Sequence, residues 1–408
     1  MIPVFSTPAL QALRHPHYRL FWLAQSASLF GLALQSVAEG WLVYRLTGSP
    51  LMLGLISFLP AALSAPATLA GGLLADRFDR RRFLFITHLA LLVPPILLAA
   101  LIASGGVRVW QVFALTLLTD ALSAMVIPVR AAFILQLVPG DDLLNAQALG
   151  SLTYQLTRIL GSAMGGWLIA TSGEAGCYLA NGLSYLAVVV VLPLIRAAPV
   201  TGQAQTRETS AAGNLLEAVR FVLRRGRLLG LYGLSLLFGL LLSPYSVLLP
   251  IYARDILRVG ATGLGWLNTA GGLGALAGAV WLAHGGLTRR RWFLTGNVLA
   301  VSAALLLFAW SRSLPPALFW LAVIGVGKMV VTTLLTNLVL LAGPAEMHGR
   351  LISFLALTAL GAPALGGLLA SAIAERWSAP LSVTLLALAF VGGAGVGFVL
   401  LKARPVKR

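Results

Sequence analysis

Three ionisable side chains stand far inside long apolar stretches: Asp120, Arg158 and Lys328. Each lies ten or more residues from the nearest end of its stretch. A charge at that depth in a membrane is costly, and such residues mark ion and substrate pathways. A carboxylate removed from water holds its proton more tightly, and a nearby cation reverses the effect. The chemistry open to such a set is therefore the binding and release of a proton or cation by Asp120, in an ion pair made and broken as the protein moves. Asp120 could pair with Arg158 on the next stretch, or face Lys328 in the equivalent place of the second half. A permanent salt bridge locking one bundle is the plain structural alternative. Glu39 is a further acid, a second proton site or substrate contact, or else a solvated residue near the outer face. Arg130 lies closer to an end, where its long stem reaches the interface.

Other chemistries find little support. The single cysteine, Cys177, excludes a disulfide framework, and the five histidines lack metal-ligand spacing, so no metal or cofactor is expected. "GVGKMVV" around Lys328 resembles a phosphate loop only superficially. That pattern needs Gly and Ser or Thr where Ala322 and Met329 stand. No nucleophile with an adjacent base is visible, so an enzyme is not expected.

The elements that position these charges follow from composition. Of 408 residues, 59% are hydrophobic and 10% charged, with a mean hydropathy of +0.91. Soluble domains average about 45–50% apolar and about 25% charged residues. A chain this apolar cannot furnish a polar skin. The net charge of +17 sits at the ends of apolar stretches, which points to the inner side of a membrane rather than to nucleic acid. A helix needs about 20 apolar residues to span a bilayer. The sequence predicts about twelve spans: 19–44, 51–75, 83–104, 110–138, 144–172, 177–196, 228–252, 262–284, 292–311, 316–341, 350–374 and 380–401. The first is expected to be retained rather than cleaved. With the N-terminus inside, basic residues favour the inner loops about threefold, so both termini are expected in the cytoplasm.

Residues 197–227 divide the chain. A polar linker leads into "NLLEAVRFVLRRGR", where Leu215, Leu216, Val219, Val222 and Leu223 share one helical face and arginines the other. That pattern predicts a helix on the inner membrane surface. The halves repeat each other: a Gly-rich span before an Arg triplet occurs at Arg80–Arg82 and again at Arg289–Arg291, and "LGSAMGGWLIA" matches "LGAPALGGLLA". Two six-helix bundles, 1–197 and 228–408, are the predicted all-α architecture, of the kind that holds a substrate between parallel repeats. Trp41, Tyr44, Tyr154, Tyr245, Tyr252, Trp266 and Trp320 are candidates to line that cavity.

Between the second and third spans runs "GGLLADRFDRRR". Gly72, Asp76, Arg77, Arg80 and Arg81 resemble the signature loop of the major facilitator superfamily. "WLVYRLTGSPLMLGL" and "LLNAQALGSL" are similar to its drug- and siderophore-export branch, which includes macrolide-efflux and enterobactin-export proteins. The resemblance implies a bacterial inner-membrane secondary transporter working by alternating access, acting as a monomer. It implies proton-driven export of an amphipathic drug- or siderophore-like molecule; a uniporter or lysolipid-like carrier is the alternative within transport. A non-transporting receptor or scaffold is the alternative of another class. It also implies a cytoplasmic latch, with Asp76 facing the start of the eleventh span near Arg350 and Arg80 or Arg81 reaching Asp141 or Asp142. The antiporter-type motif of the fifth span lacks its proline: Gly161, Gly165 and Gly166 remain, and the eleventh span carries Pro363, Gly366 and Gly367. Small residues there let helices approach closely, for packing or as a gating interface.

Overall fold

The computed structural model describes residues 8–196, 211–285, 291–344 and 347–402. The side chains of Ala75 and Asp76 and of 211–216 and 291–294 lie outside the described residues. Among the described residues the chain is all-α, without strands. In hydrocarbon every backbone group must find its partner inside the segment, which makes helices of the long apolar runs. They are α1 (Pro16–Thr47), α2 (Pro50–Arg77), α3 (Arg80–Ala103), α4 (Val109–Leu137) and α5 (Leu143–Val191), then α6 (Ala211–Arg224), α7 (Gly226–Leu237), α8 (Gly260–Gly285), α9 (Arg291–Ala309), α10 (Leu314–Ala342), α11 (His348–Arg376) and α12 (Ala379–Lys402). Eight described helical stretches are long and apolar enough to cross a membrane, and Thr295–Ala309 and Ala379–Gly393 are shorter apolar helices.

The spans expected at 144–172 and 177–196 are the two arms of α5, which meet at a non-helical break at Gly173 (φ 69°, ψ 179°). A residue without a Cβ reaches that conformation and reverses the chain without a loop. The span after α7 continues to Ile256 through alternating wide and tight turns at Phe238–Leu242, Ser243–Leu248 and Tyr252–Ile256. Pro244 and Pro250 remove donors there.

Two compact units result, and each is described by itself. Unit 1 comprises residues 1–48, 59–203 and 260–269. Its core is built where α1, α3, α4 and α5 bury Tyr18, Phe21, Leu84, Leu91, Val129, Phe133 and Tyr185 together. The Tyr18 hydroxyl donates to the Ala146 carbonyl at 2.9 Å, and Phe21 meets Phe133 edge-on at 5.3 Å. Unit 2 comprises 49–58, 204–259 and 270–408. In it, Tyr232 stacks on Phe354 at 4.8 Å and donates to the Leu351 carbonyl at 2.7 Å, joining α7 to α11.

The helix predicted from the amphipathic stretch is α6. It docks on unit 2 through Glu217, whose carboxylate receives the Arg350 guanidinium at 2.6 Å. Val222 is buried and Leu223 exposed; Leu215 and Leu216 lie outside the described side chains.

Candidate functional site

The acids of unit 1 come together from two helices. Glu39 stands on α1, eight residues before its end at Thr47, and Asp120 on α4, eleven residues after its start at Val109. At 1.5 Å per residue these lie about 12 and about 16 Å from those helix ends. Both are half-buried, and the charge of Asp120 reaches Glu39. Toward the end of unit 1 where α1 stops and α5 breaks, the Arg45 guanidinium holds Glu174 at 2.6 Å, with a second contact at 3.4 Å. Glu174 is buried while Arg45 is partly exposed.

The other predicted midplane charges are placed differently. No ion pair joins Asp120 to Arg158 among the described residues; Arg158 is exposed on α5. Helical rotation decides this, since equal depth on two helices does not mean facing sides. Lys328 is half-buried on α10 in unit 2, and its carbonyl accepts from the Thr332 hydroxyl at 2.9 Å. Arg130 is half-buried on α4, with buried His88 within reach of its charge.

The signature loop makes contacts other than those the resemblance implied. Asp79 caps α3 by accepting the Arg82 amide at 2.8 Å. Arg80 donates to the Ala132 carbonyl at 3.2 Å and Arg81 to the Pro193 carbonyl at 2.6 Å. Neither reaches Asp141 or Asp142. The first turn of α3 turns these arginines toward a half-buried carbonyl five residues before the end of α4 and an exposed one just past the end of α5, and Asp142 is held by His15 at 2.8 Å. The Ala12 amide donates to Asn145 beside it. Arg77 and Asp141 are exposed. A Cβ on Gly72 would meet nothing within 4 Å. The expected contact of Asp76 lies outside the described side chains, as does the Arg289–Arg291 cluster; Arg350 is paired with Glu217.

The small-residue motifs serve separate contacts. Gly161 faces Ala33 and Gly165 faces Leu34 and Val37, so both bring α5 onto α1. Gly166 alone faces α8: a Cβ there would lie 2.6 Å from the Ala261 carbonyl oxygen and 2.8 Å from the Gly265 Cα. Thr269 extends this contact by donating to the Ile159 carbonyl at 3.2 Å. On α11, Pro363 meets Gly239, Gly366 meets Leu240 and Pro244, and Gly367 meets Val247, all on the irregular continuation of α7. At the far end of α11, Glu375 accepts the Ser49 hydroxyl at 2.7 Å and the Leu51 amide at 2.9 Å, capping α2 within unit 2.

The aromatic candidates divide. Tyr252 is fully buried, donates to the Ala309 carbonyl at 3.2 Å and packs on Phe308, so it belongs to the core. Tyr44 is buried as well. Trp41, Tyr245 and Trp320 are half-buried, and Tyr154 and Trp266 are exposed. Among the described residues no three His, Cys, Asp or Glu side chains stand together to hold a metal.

Two polar features were not anticipated from sequence: the Arg45–Glu174 pair, and a hydrogen bond from Asn181 to Gln35 at 2.6 Å. A signal exists, because Glu174, Tyr178, Asn181 and Tyr185 recur at helical spacing in an otherwise apolar run.

Residues 7–406 match a family model described as transmembrane secretion effector. The enterobactin exporter EntS of Shigella boydii is 32% identical over 281 residues, 65% of this chain and 63% of that protein. The EntS protein of Escherichia coli O1:K1 is 31% identical over the same extents. The matched region thus spans less than two thirds of the length of these curated relatives. Among solved structures, a bacterial homolog of the human lysosomal transporter Spinster superposes with a TM-score of 0.74 at 13% identity, covering 97% of this chain and 99% of that one. The nucleoside transporter NupG gives 0.71 at 13% identity, covering 95% and 100%. At that identity the likeness is one of fold.

Proposed function

The chain belongs to the transmembrane secretion effector family of the major facilitator superfamily, and from that membership we propose that it exports an amphipathic small molecule by alternating access, driven by protons flowing inward. The observation that supports the proposal is the placing of two half-buried acids, Glu39 and Asp120, well inside α1 and α4 of unit 1, with the charge of Asp120 reaching Glu39. A pair sharing one proton can release it when the bundle opens to the inside and regain it from the outside. The stretch around Lys328 departs from a phosphate loop at Ala322 and Met329, which supports a gradient as the driving force. Asp120 carries the exchangeable proton and Glu39 tunes or shares it. The short contact of Gly166 with the start of α8 belongs to unit 1 and the Glu375 cap on α2 to unit 2; we propose that the first opens and closes during the cycle. In this reading Arg158, Trp41, Tyr154 and Trp266 of unit 1 meet the solute, as do Lys328, Tyr245 and Trp320 of unit 2, each set within its own unit. The protein lies in the bacterial inner membrane as a monomer, with both termini in the cytoplasm. The identity with enterobactin exporters favours a siderophore-like solute.

The test is transport by the full-length chain in proteoliposomes under an imposed pH gradient, with enterobactin and a lipophilic cation assayed in parallel. The gradient is expected to accelerate wild-type transport about tenfold or more, a barrier difference of about 1.4 kcal/mol. Asp120→Asn is expected to transport without that acceleration. Equal acceleration of both proteins would remove Asp120 from the coupling step. Failure of the wild type to move either solute would favour the scaffold alternative.

A further inference from the structure

One face of the second arm of α5 is polar along its whole length. Glu174, Tyr178, Asn181 and Tyr185 are spaced four, three and four residues apart, which places them on one side of a helix. All are buried, with exposures of 7%, 0%, 0% and 3%. Groups from three other helices complete a column. From α1 come Arg45, paired to Glu174, Glu39, and Gln35, which accepts from Asn181. From α4 come Asp120 and Ser123, the latter beside Tyr185. From α3 comes His88, whose ring lies 6.1 Å from that of Tyr185. The column begins at the Arg45–Glu174 pair and passes the Glu39–Asp120 carboxyls.

Tyr178 occupies the junction. It is fully buried, and its hydroxyl has no hydrogen-bond partner in the protein. The charges of Glu39, Glu174 and Asp120, and its neighbour Cys177, all act on it. A buried hydroxyl without a partner destabilises a fold, whereas phenylalanine would fill the same space without that cost. The hydroxyl therefore calls for a role beyond packing.

We propose that Tyr178 relays protons between the Arg45–Glu174 mouth and the Glu39–Asp120 carboxyls. As the phenol accepts a proton on its oxygen from a water on the mouth side, its own O–H bond breaks toward a second water, which passes its own proton on to the carboxylate. One O–H bond forms on the carboxyl, one is lost at the mouth, and the tyrosine ends unchanged. Arg45 keeps Glu174 oriented at the entrance, and Asn181 with Gln35 closes the column below Tyr178. The relay rests on the proton-coupled reading above, and it adds the route by which the coupling acids fill.

The test needs no solute. The full-length chain in lipid nanodiscs is subjected to a rapid drop in pH, and growth of the carboxylic-acid band is followed by infrared spectroscopy. A band present in the wild type and lost in Glu39→Gln/Asp120→Asn identifies the coupling acids. Tyr178→Phe is expected to reach the wild-type amplitude about tenfold more slowly, with a thermal midpoint at or above that of the wild type. Glu174→Gln, which blocks the same route at its entrance, is expected to slow the band likewise, and it decides the matter should Tyr178→Phe fail to fold. Wild-type rates in these variants, or a changed amplitude at an unchanged rate, would overturn the relay while leaving the coupling acids in place. A band indifferent to Glu39 and Asp120 would overturn both.

Discussion

Gly166→Val is expected to halt transport while the chain still inserts and purifies as a folded protein. The Cβ of any larger residue at 166 would lie 2.6 Å from the Ala261 carbonyl oxygen and 2.8 Å from the Gly265 Cα. Both obstacles are backbone, so no side chain can swing aside. The start of α8 must move off α5, and the Thr269 hydroxyl must release the Ile159 carbonyl. Overpacking of this kind costs about 1–3 kcal/mol. That is small against the fold as a whole, yet enough to change the rate of a step that opens or closes the contact by about tenfold or more. Gly72→Ala is the matched control, because a Cβ there meets nothing within 4 Å. Transport in proteoliposomes, with size-exclusion behaviour alongside, separates the two. Wild-type transport by Gly166→Val would show that this contact is not part of the cycle.

The second large effect is expected at Arg45. Its guanidinium is partly exposed, but the carboxylate it holds at 2.6 Å is buried. Arg45→Ala leaves that carboxylate without its partner. Breaking a buried pair from one side costs about 3–5 kcal/mol; with Arg45 partly in solvent, about 2 kcal/mol is the expected loss. Glu174→Ala removes the buried charge itself and should cost less. The double variant Arg45→Ala/Glu174→Ala should recover part of the loss, the signature of a direct interaction in a double-mutant cycle. Thermal unfolding in detergent reads all three. Additive losses would show that the pair contributes no stability of its own.

Much of this arrangement was legible in the residues, and its limits have physical causes. Long apolar runs, their charged ends and the internal repeat mark an all-α membrane chain, because hydrocarbon leaves the backbone few alternatives. Depth along a helix is readable as well, which is why Asp120, Arg158 and Lys328 stand out, while Glu39 reads as a residue near the outer face. Rotation about the helix axis is not readable from a stretch that is apolar all round, since no polar face fixes it. Of the two partners open to Asp120, Arg158 forms no ion pair with it among the described residues. Arg80 and Arg81 turned to the Ala132 and Pro193 carbonyls for a related reason: backbone carbonyls keep a second lone pair and compete for any nearby guanidinium, and His15 engages Asp142. The pairing of Arg350 with Glu217 depends on where α6 docks, which helix propensity does not specify. The break of α5 at Gly173 was legible, because "TSGEAG" reads as a turn. The polar column of α5 was visible as a spacing, but only its burial gives it meaning.

The most direct measurement is proton movement driven by the solute itself. Proteoliposomes holding the full-length chain and a luminal pH dye are given an enterobactin gradient with no imposed pH difference. Coupled exchange predicts that the luminal pH shifts as enterobactin crosses, in the direction opposite to its flow, and that the shift vanishes in Asp120→Asn. Enterobactin crossing at its full rate with the luminal pH unchanged would contradict coupling through the Glu39–Asp120 pair.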